Sequence, residues 1–154
     1  PYTLAMIIDE YLGKRKIWWD AKVLATDINS KVLKQAQEGI YAGDDIASLP
    51  AQWRNNYFKR IDNERVAIID KIKNEVIFRK FNLMEEIFPF KKKFHVIFCR
   101  NVMIYFDDQT KRNLVNKFYD MMEYGGYLFI GHSESLNREE IKFKYIMPAV
   151  YRKI

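Results

Sequence analysis

A chain of 154 residues, 49% apolar and 16% aromatic, is long enough for one main domain with a real core, too short for two of full size, and too apolar to stay disordered. Its formal charge of +6 is spread over short basic clusters interleaved with acidic residues, so it does not single out nucleic acid over a solvated surface or a carboxylate-rich partner. No apolar run approaches the ~20 residues of a membrane span and no signal-peptide pattern opens the chain, so a cytoplasmic protein without membrane insertion is expected.

Residues 2–12 place Leu4, Ile7, Ile8 and Tyr11 on one helical face, with Gly13 as the stop. Residues 22–27 predict a short strand ending on Asp27, and Asn29 or Ser30 caps a helix running to about Glu38. Trp53, Tyr57 and Phe58 predict a helix over residues 50–60, opened by Pro50. Residues 65–79 show β-branched clusters broken by Asn74-Glu75, so residues 50–80 read as a small helix-plus-hairpin insertion, with 76–82 returning toward a main sheet.

Residues 94–99 are nearly continuous in apolar side chains, as for a central strand covered on both faces. They include the single cysteine, Cys99, read as a small buried hydrophobe. Asp107 or Asp108 caps a helix turning Leu114, Val115, Phe118 and Met122 inward, Gly125-Gly126 ends it, and residues 127–131 form the next strand. Residues 143–146 and 149–152 close the domain as a strand pair. Strands alternating with helices imply a doubly wound α/β sheet with its ligand site beyond the carboxyl ends of the strands.

Three strand ends carry residues suited to that task. Asp27 sits where a carboxylate accepts both hydroxyl hydrogen bonds of a ribose, or else merely caps the next helix. Asn82, followed by Leu83, offers an amide that reads the edge of an adenine, or forms an Asx turn. Arg100 and Asn101 appear abruptly where an apolar strand stops: a cation for a carboxylate, and an amide with both donor and acceptor. Tyr105 either lines a reaction site or is buried with its hydroxyl satisfied.

The segments ATDINSKVL, FNL, FCRNVMIYF and GGYLFIGHSES, in this order, resemble the C-terminal domain of the chemotaxis receptor methyltransferase family, CheR, and the likeness runs over nearly all of the chain. The opening PYTLAM resembles the stretch that follows the family's glycine-rich cofactor loop. The resemblance implies a Rossmann-like class I methyltransferase sheet with helices on both faces, here lacking its first strand, with a small α+β insertion. Residues 1–154 would then be a partial catalytic domain and residues 50–80 a receptor-docking subdomain.

The implied cofactor is S-adenosylmethionine, with S-adenosylhomocysteine as product and no metal. Asp27 would bind its ribose, Asn82 and Leu83 its adenine, and Arg100 and Asn101 its methionine end, with Tyr105 close to the transferred methyl. The implied catalytic pair is Tyr105 and Arg100. The reaction implied is methyl transfer to glutamate carboxylates on the cytoplasmic helices of methyl-accepting chemoreceptors. A glutamate with a pKa near 4.3 is already ionised at neutral pH, so no general base is called for, and His95 and His132 are left without a catalytic role. Arg54, Lys59, Arg60 and Arg65, beside Trp53, Tyr57 and Phe58, would dock an acidic receptor helix, or form a solvated face. Some family members hold a receptor tail peptide through a loop with closely spaced glycines, whereas residues 61–65 contain none.

In the family a first strand, a glycine-rich turn and a helical receptor-contacting domain precede this sequence. The chain alone is therefore expected to bind cofactor weakly, and to need its own N-terminal segment, or pairing with another chain, to complete the sheet. The alternatives are a non-catalytic interaction module of the same fold and a methyltransferase for nucleic acid or small molecules. For base methylation an Asn-Pro-Pro-Tyr strand end is expected where this chain has Arg-Asn-Val-Met. A nicotinamide oxidoreductase shares the logic of Asp27, but no Gly-x-Gly-x-x-Gly precedes it.

Overall fold

A computed structural model describes residues 1–154, the side chain of Lys16 excepted, as two compact units, Pro1–Asn82 and Leu83–Ile154. The first runs α1 (Tyr2–Leu12), β1 (Val23–Asp27), α2 (Ser30–Glu38), β2 (Ile40–Ala42), α3 (Ala51–Tyr57), β3 (Phe58–Arg60), β4 (Arg65–Ile68), α4 (Asp70–Lys73) and β5 (Val76–Lys80). The second runs β6 (Phe94–Cys99), α5 (Asp108–Asp120), β7 (Met122–Ile130), β8 (Lys144–Met147) and β9 (Val150–Arg152). Both are α/β.

In the first unit β1 and β5 pair in parallel, Val23 opposite Val76 and Asp27 opposite Lys80. A parallel pair requires a crossover, and here it carries α2 together with a second, antiparallel sheet of order β2-β4-β3. Asn29 caps α2 by accepting from the amides of Lys31 and Val32, and Gly39 ends it in the left-handed conformation, φ 61°. The two sheets correct the hairpin expected within residues 65–79 and agree with the expected departure of residues 76–82 to another sheet. Residues 76–80 leave the hairpin, which is β3-β4, and the three-residue β2, not foreseen, takes the other side of β4.

The buried stripe of α1 also differs from the sequence reading. Tyr2, Ala5, Met6 and Asp9 face inward, at helical spacing, while Ile7 and Tyr11 are 47% and 73% exposed. The reason is the partner: Tyr2 meets Phe78 edge to face at 5.8 Å and its hydroxyl donates to the Ala36 carbonyl at 2.9 Å. With Leu33, Tyr57, Ile68, Ile72, Val76 and Phe78 these residues form the core of the unit. Tyr57 thus belongs to the core and Trp53 and Phe58 pack on it, so the expected docking aromatics are structural, while Arg54, Lys59, Arg60 and Arg65 remain exposed.

The second unit is one sheet of order β6-β7-β9-β8, with β6 and β7 parallel and joined through α5. Asp107 accepts from the Thr110 amide at 2.7 Å and starts α5 as expected. The helix stops at Asp120, before the two glycines. Both lie within β7, Gly125 at φ 82° and Gly126 where a Cβ would come within 2.8 Å of the His95 carbonyl oxygen. Gly126 serves a close strand approach and Gly125 a left-handed backbone, and neither ends the helix.

Met103, Leu114, Val115, Met122 and Leu128 are fully buried in the core of this unit, each contributing about 1.5–3 kcal/mol. In its own sheet β6 is an edge strand, and Val96 and Phe98 are 45% and 44% exposed, unlike the expected strand covered on both faces. Cys99 is buried, and burial pushes its thiol up to about 12, which removes it from thiol chemistry.

Candidate functional site

In the first unit Asp27 closes β1, its carbonyl oxygen accepting from the Phe81 amide at 3.1 Å. Its side chain turns the chain toward α2: Oδ1 accepts from the Asn29 amide at 2.7 Å, and Asn29, not Asp27, caps the helix. The half-buried carboxylate still has a second oxygen, and a carboxylate offers about four lone-pair sites, so shaping the turn leaves room for a ligand hydroxyl. Asn82 follows β5 at the end of this unit and is half-buried, as is Leu83 at the start of the next.

In the second unit β6 ends on the buried Cys99 and the chain leaves the sheet at once. Arg100 and Asn101 are exposed, and Asn101 lies at φ 60°, a left-handed conformation that asparagine tolerates better than most residues. A 3-10 turn over Met103–Tyr105 follows, anchored by the fully buried Met103. Tyr105 is 82% exposed, which removes the buried-tyrosine reading. A concavity of about 260 Å³ opens beside this turn, lined by Met103, Ile104, Lys111, Ser133 and Glu134 among others.

The sequence reading missed Glu134, which follows the end of β7. Its carboxylate accepts from the amides of Gly131 at 2.5 Å, Asn101 at 3.2 Å and Ile104 at 3.2 Å. The ends of the two parallel strands are thereby tied together. The sequence signalled only a strand over residues 127–131; nothing near Glu134 announced backbone partners thirty residues upstream.

Two βαβ-type crossovers with polar groups at the strand ends define an α/β protein of Rossmann-like type, a fold whose ligands bind beyond the carboxyl ends of the strands. Residues 1–151 match the family described as CheR methyltransferase, SAM binding domain, and the chain belongs to that family. The cofactor of the family is S-adenosylmethionine. A chemotaxis protein methyltransferase of Borreliella burgdorferi is 46% identical over 153 residues, 99% of this chain and 54% of that protein. Its counterpart in Escherichia coli is 34% identical over 154 residues, 98% of this chain and 53% of its own length. A probable chemotaxis protein methyltransferase of Rhizobium etli is 35% identical over 142 residues, 90% and 52% of the two chains. The chain thus spans about half the length of these relatives.

Proposed function

We propose that this chain forms the catalytic part of a cytoplasmic protein-glutamate O-methyltransferase, which transfers a methyl group from S-adenosylmethionine to glutamate side chains of methyl-accepting chemoreceptors. The observation that carries the reading is the strand-end segment at residues 100–105, polar and exposed where an apolar strand stops, in a member of a cofactor-binding family. Names of relatives that specify chemotaxis support the choice of substrate.

The residues present suit the cofactor. Asp27 retains acceptor capacity for the ribose hydroxyls, and Asn82 with Leu83 supplies an amide and an apolar surface for the adenine. Arg100 gives a cation for the methionine carboxylate, and Asn101 a donor and acceptor beside it. When bound, S-adenosylmethionine would supply a sulfonium methyl for the glutamate oxygen, with the electron pair of the carbon–sulfur bond left on sulfur in S-adenosylhomocysteine. No proton moves in this step, so the chain's residues act by orientation and by excluding water from the carboxylate, with Tyr105 and Arg100 nearest the reacting groups. Residues 1–154 then form part of the catalytic domain, and the exposed cations Arg54, Lys59, Arg60 and Arg65 within residues 50–80 attract the acidic receptor helix.

Calorimetric titration of S-adenosylhomocysteine into the chain extended to the length of its relatives, with and without Asp27→Ala, tests the cofactor site. Binding abolished by Asp27→Ala is the expected result, and release of methanol by alkali from methylated receptor identifies the ester. An extended protein that binds nothing would overturn the methyltransferase reading in favour of an interaction module.

A further inference from the structure

We propose that Glu134 is a positioning residue, whose carboxylate sets the backbone of the strand-end loop at residues 100–104 and so presents Arg100 and Asn101 to the cofactor. The proposal rests on the reading of Arg100 and Asn101 as cofactor-binding residues.

Where β6 and β7 stop, the backbone amides beyond them lose their ladder partners and need other acceptors. Three of these amides converge on one side chain: Oε2 of Glu134 accepts from Gly131 and Asn101, and Oε1 accepts from Ile104. A carboxylate suits this task because both of its oxygens only accept. The amide of glutamine has one accepting oxygen, and its NH2 group would face an N–H. Charge-assisted bonds of this kind are also shorter and stronger than neutral ones.

The same carboxylate explains two local features. Asn101, whose amide donates to Glu134, adopts φ 60°, a conformation costly for most residues and tolerated best by glycine and asparagine. Position 131 is glycine because a Cβ there would lie 2.6 Å from Oε2 of Glu134, 2.7 Å from Oδ1 of Asn101 and 3.1 Å from the Asn101 amide nitrogen. Glycine lets the carboxylate and the loop close on each other. Glu134 itself is half-buried and lies against the concavity beside the Met103–Tyr105 turn, so it acts through the backbone it holds.

Glu134→Gln, Glu134→Asp and Gly131→Ala test this. In amide NMR spectra of the chain, Glu134→Gln is expected to move the proton resonances of Gly131, Asn101 and Ile104 upfield, as charge-assisted bonds are lost, and to leave the amides of α5 in place. In the extended protein it is expected to weaken S-adenosylhomocysteine binding about tenfold or more, equivalent to about 1.4 kcal/mol. Glu134→Asp, which keeps an acceptor-only head, recovers part of that affinity, and Gly131→Ala reproduces the loss from the other side of the contact. Unchanged amide resonances in folded Glu134→Gln overturn the proposal, as do moved resonances with unchanged affinity. An extended wild-type protein that binds no S-adenosylhomocysteine overturns the cofactor reading instead, and the amide resonances then decide alone whether Glu134 sets the loop. A Glu134→Gln protein that does not fold passes the decision to Glu134→Asp and Gly131→Ala, read in the same two ways.

Discussion

Asp9 and Lys71, 62 residues apart in sequence, meet at 2.7 Å between Oδ2 and Nζ. The pair is asymmetric: the Asp9 side chain is 6% exposed and that of Lys71 59%. Tyr57 donates its hydroxyl to the same oxygen at 3.2 Å, and the neighbouring Glu10 accepts from Trp53 Nε1 at 3.0 Å, so the acidic end of α1 holds α3 and α4. Removing the cation takes an ion-pair partner from a buried carboxylate, whereas removing the carboxylate leaves a lysine that water already solvates. Lys71→Met is expected to cost about 1–3 kcal/mol and Asp9→Asn about 1 kcal/mol, with the double variant close to Asp9→Asn alone. Urea unfolding of the three variants checks this; Lys71→Met as stable as the wild type would show that the pair contributes nothing.

Stability is expected to fall in alkali. Tyr57 is pushed up to about 12, by burial first and then by the charge of and hydrogen bond to Asp9 and the charge of Glu10. Burial, with a smaller effect of Tyr41, raises Tyr2 to about 12 as well. Both keep their protons in the fold after the unfolded chain, near the ordinary value of 10, has lost them. Above that value the unfolded state binds fewer protons, so stability is complete below pH 10 and declines through pH 12. In the second unit Cys99 opens the same decline earlier, from its ordinary value of 9.0. Urea midpoints measured across this range should drop steadily, and Tyr57→Phe should lessen the slope above pH 10; a flat profile counts against the buried, protonated tyrosines.

What the sequence disclosed follows from how local each determinant is. The strand at Val23–Asp27, the Asn29 cap, the strand at Phe94–Cys99 and the Asp107 cap of α5 depend on neighbours within four residues, and they were readable. The inward face of α1 was not, because the helix carries two apolar stripes and the choice is made by Phe78, Tyr57 and Lys71 far along the chain. Residues 76–82 could be read as a strand returning toward a main sheet, but β-branched composition does not reveal that Val76 pairs with Val23. Positions of Asp27, Asn82, Arg100 and Asn101 at or just beyond strand ends could be read from abrupt polarity changes. Glu134 could not, because its partners are backbone amides, which every residue possesses.

Gly39 joins α2 to β2 and illustrates a position where both conformation and space exclude a side chain. It lies at φ 61°, and a Cβ there would come within 2.6 Å of Cγ2 of the fully buried Ile68. The left-handed conformation costs roughly 1–2 kcal/mol for alanine and overpacking of this kind a further 1–3 kcal/mol. Gly39→Ala is therefore expected to lose about 2–5 kcal/mol in denaturant unfolding. Gly39→Asn should recover the conformational part and retain the overlap. Wild-type stability for Gly39→Ala would mean that Ile68 moves aside without cost.

The left-handed Asn101 allows its two roles to be separated by experiment. Its backbone conformation, φ 60°, presents the amide to Glu134, while its side chain is the group assigned to the cofactor. Glycine adopts this conformation freely and offers no side chain; alanine offers neither the side chain nor an easy backbone, at a cost of roughly 1–2 kcal/mol. Asn101→Gly should leave the stability of the chain near that of the wild type while reducing S-adenosylhomocysteine affinity in the extended protein. Asn101→Ala should reduce both, and its additional loss of affinity over Asn101→Gly measures the share of binding that depends on loop geometry. If Asn101→Gly binds as well as the wild type, the side chain is not a ligand contact and the residue is selected for its backbone alone. If both variants bind equally poorly, the side chain carries the whole effect and the loop geometry survives without help from residue 101.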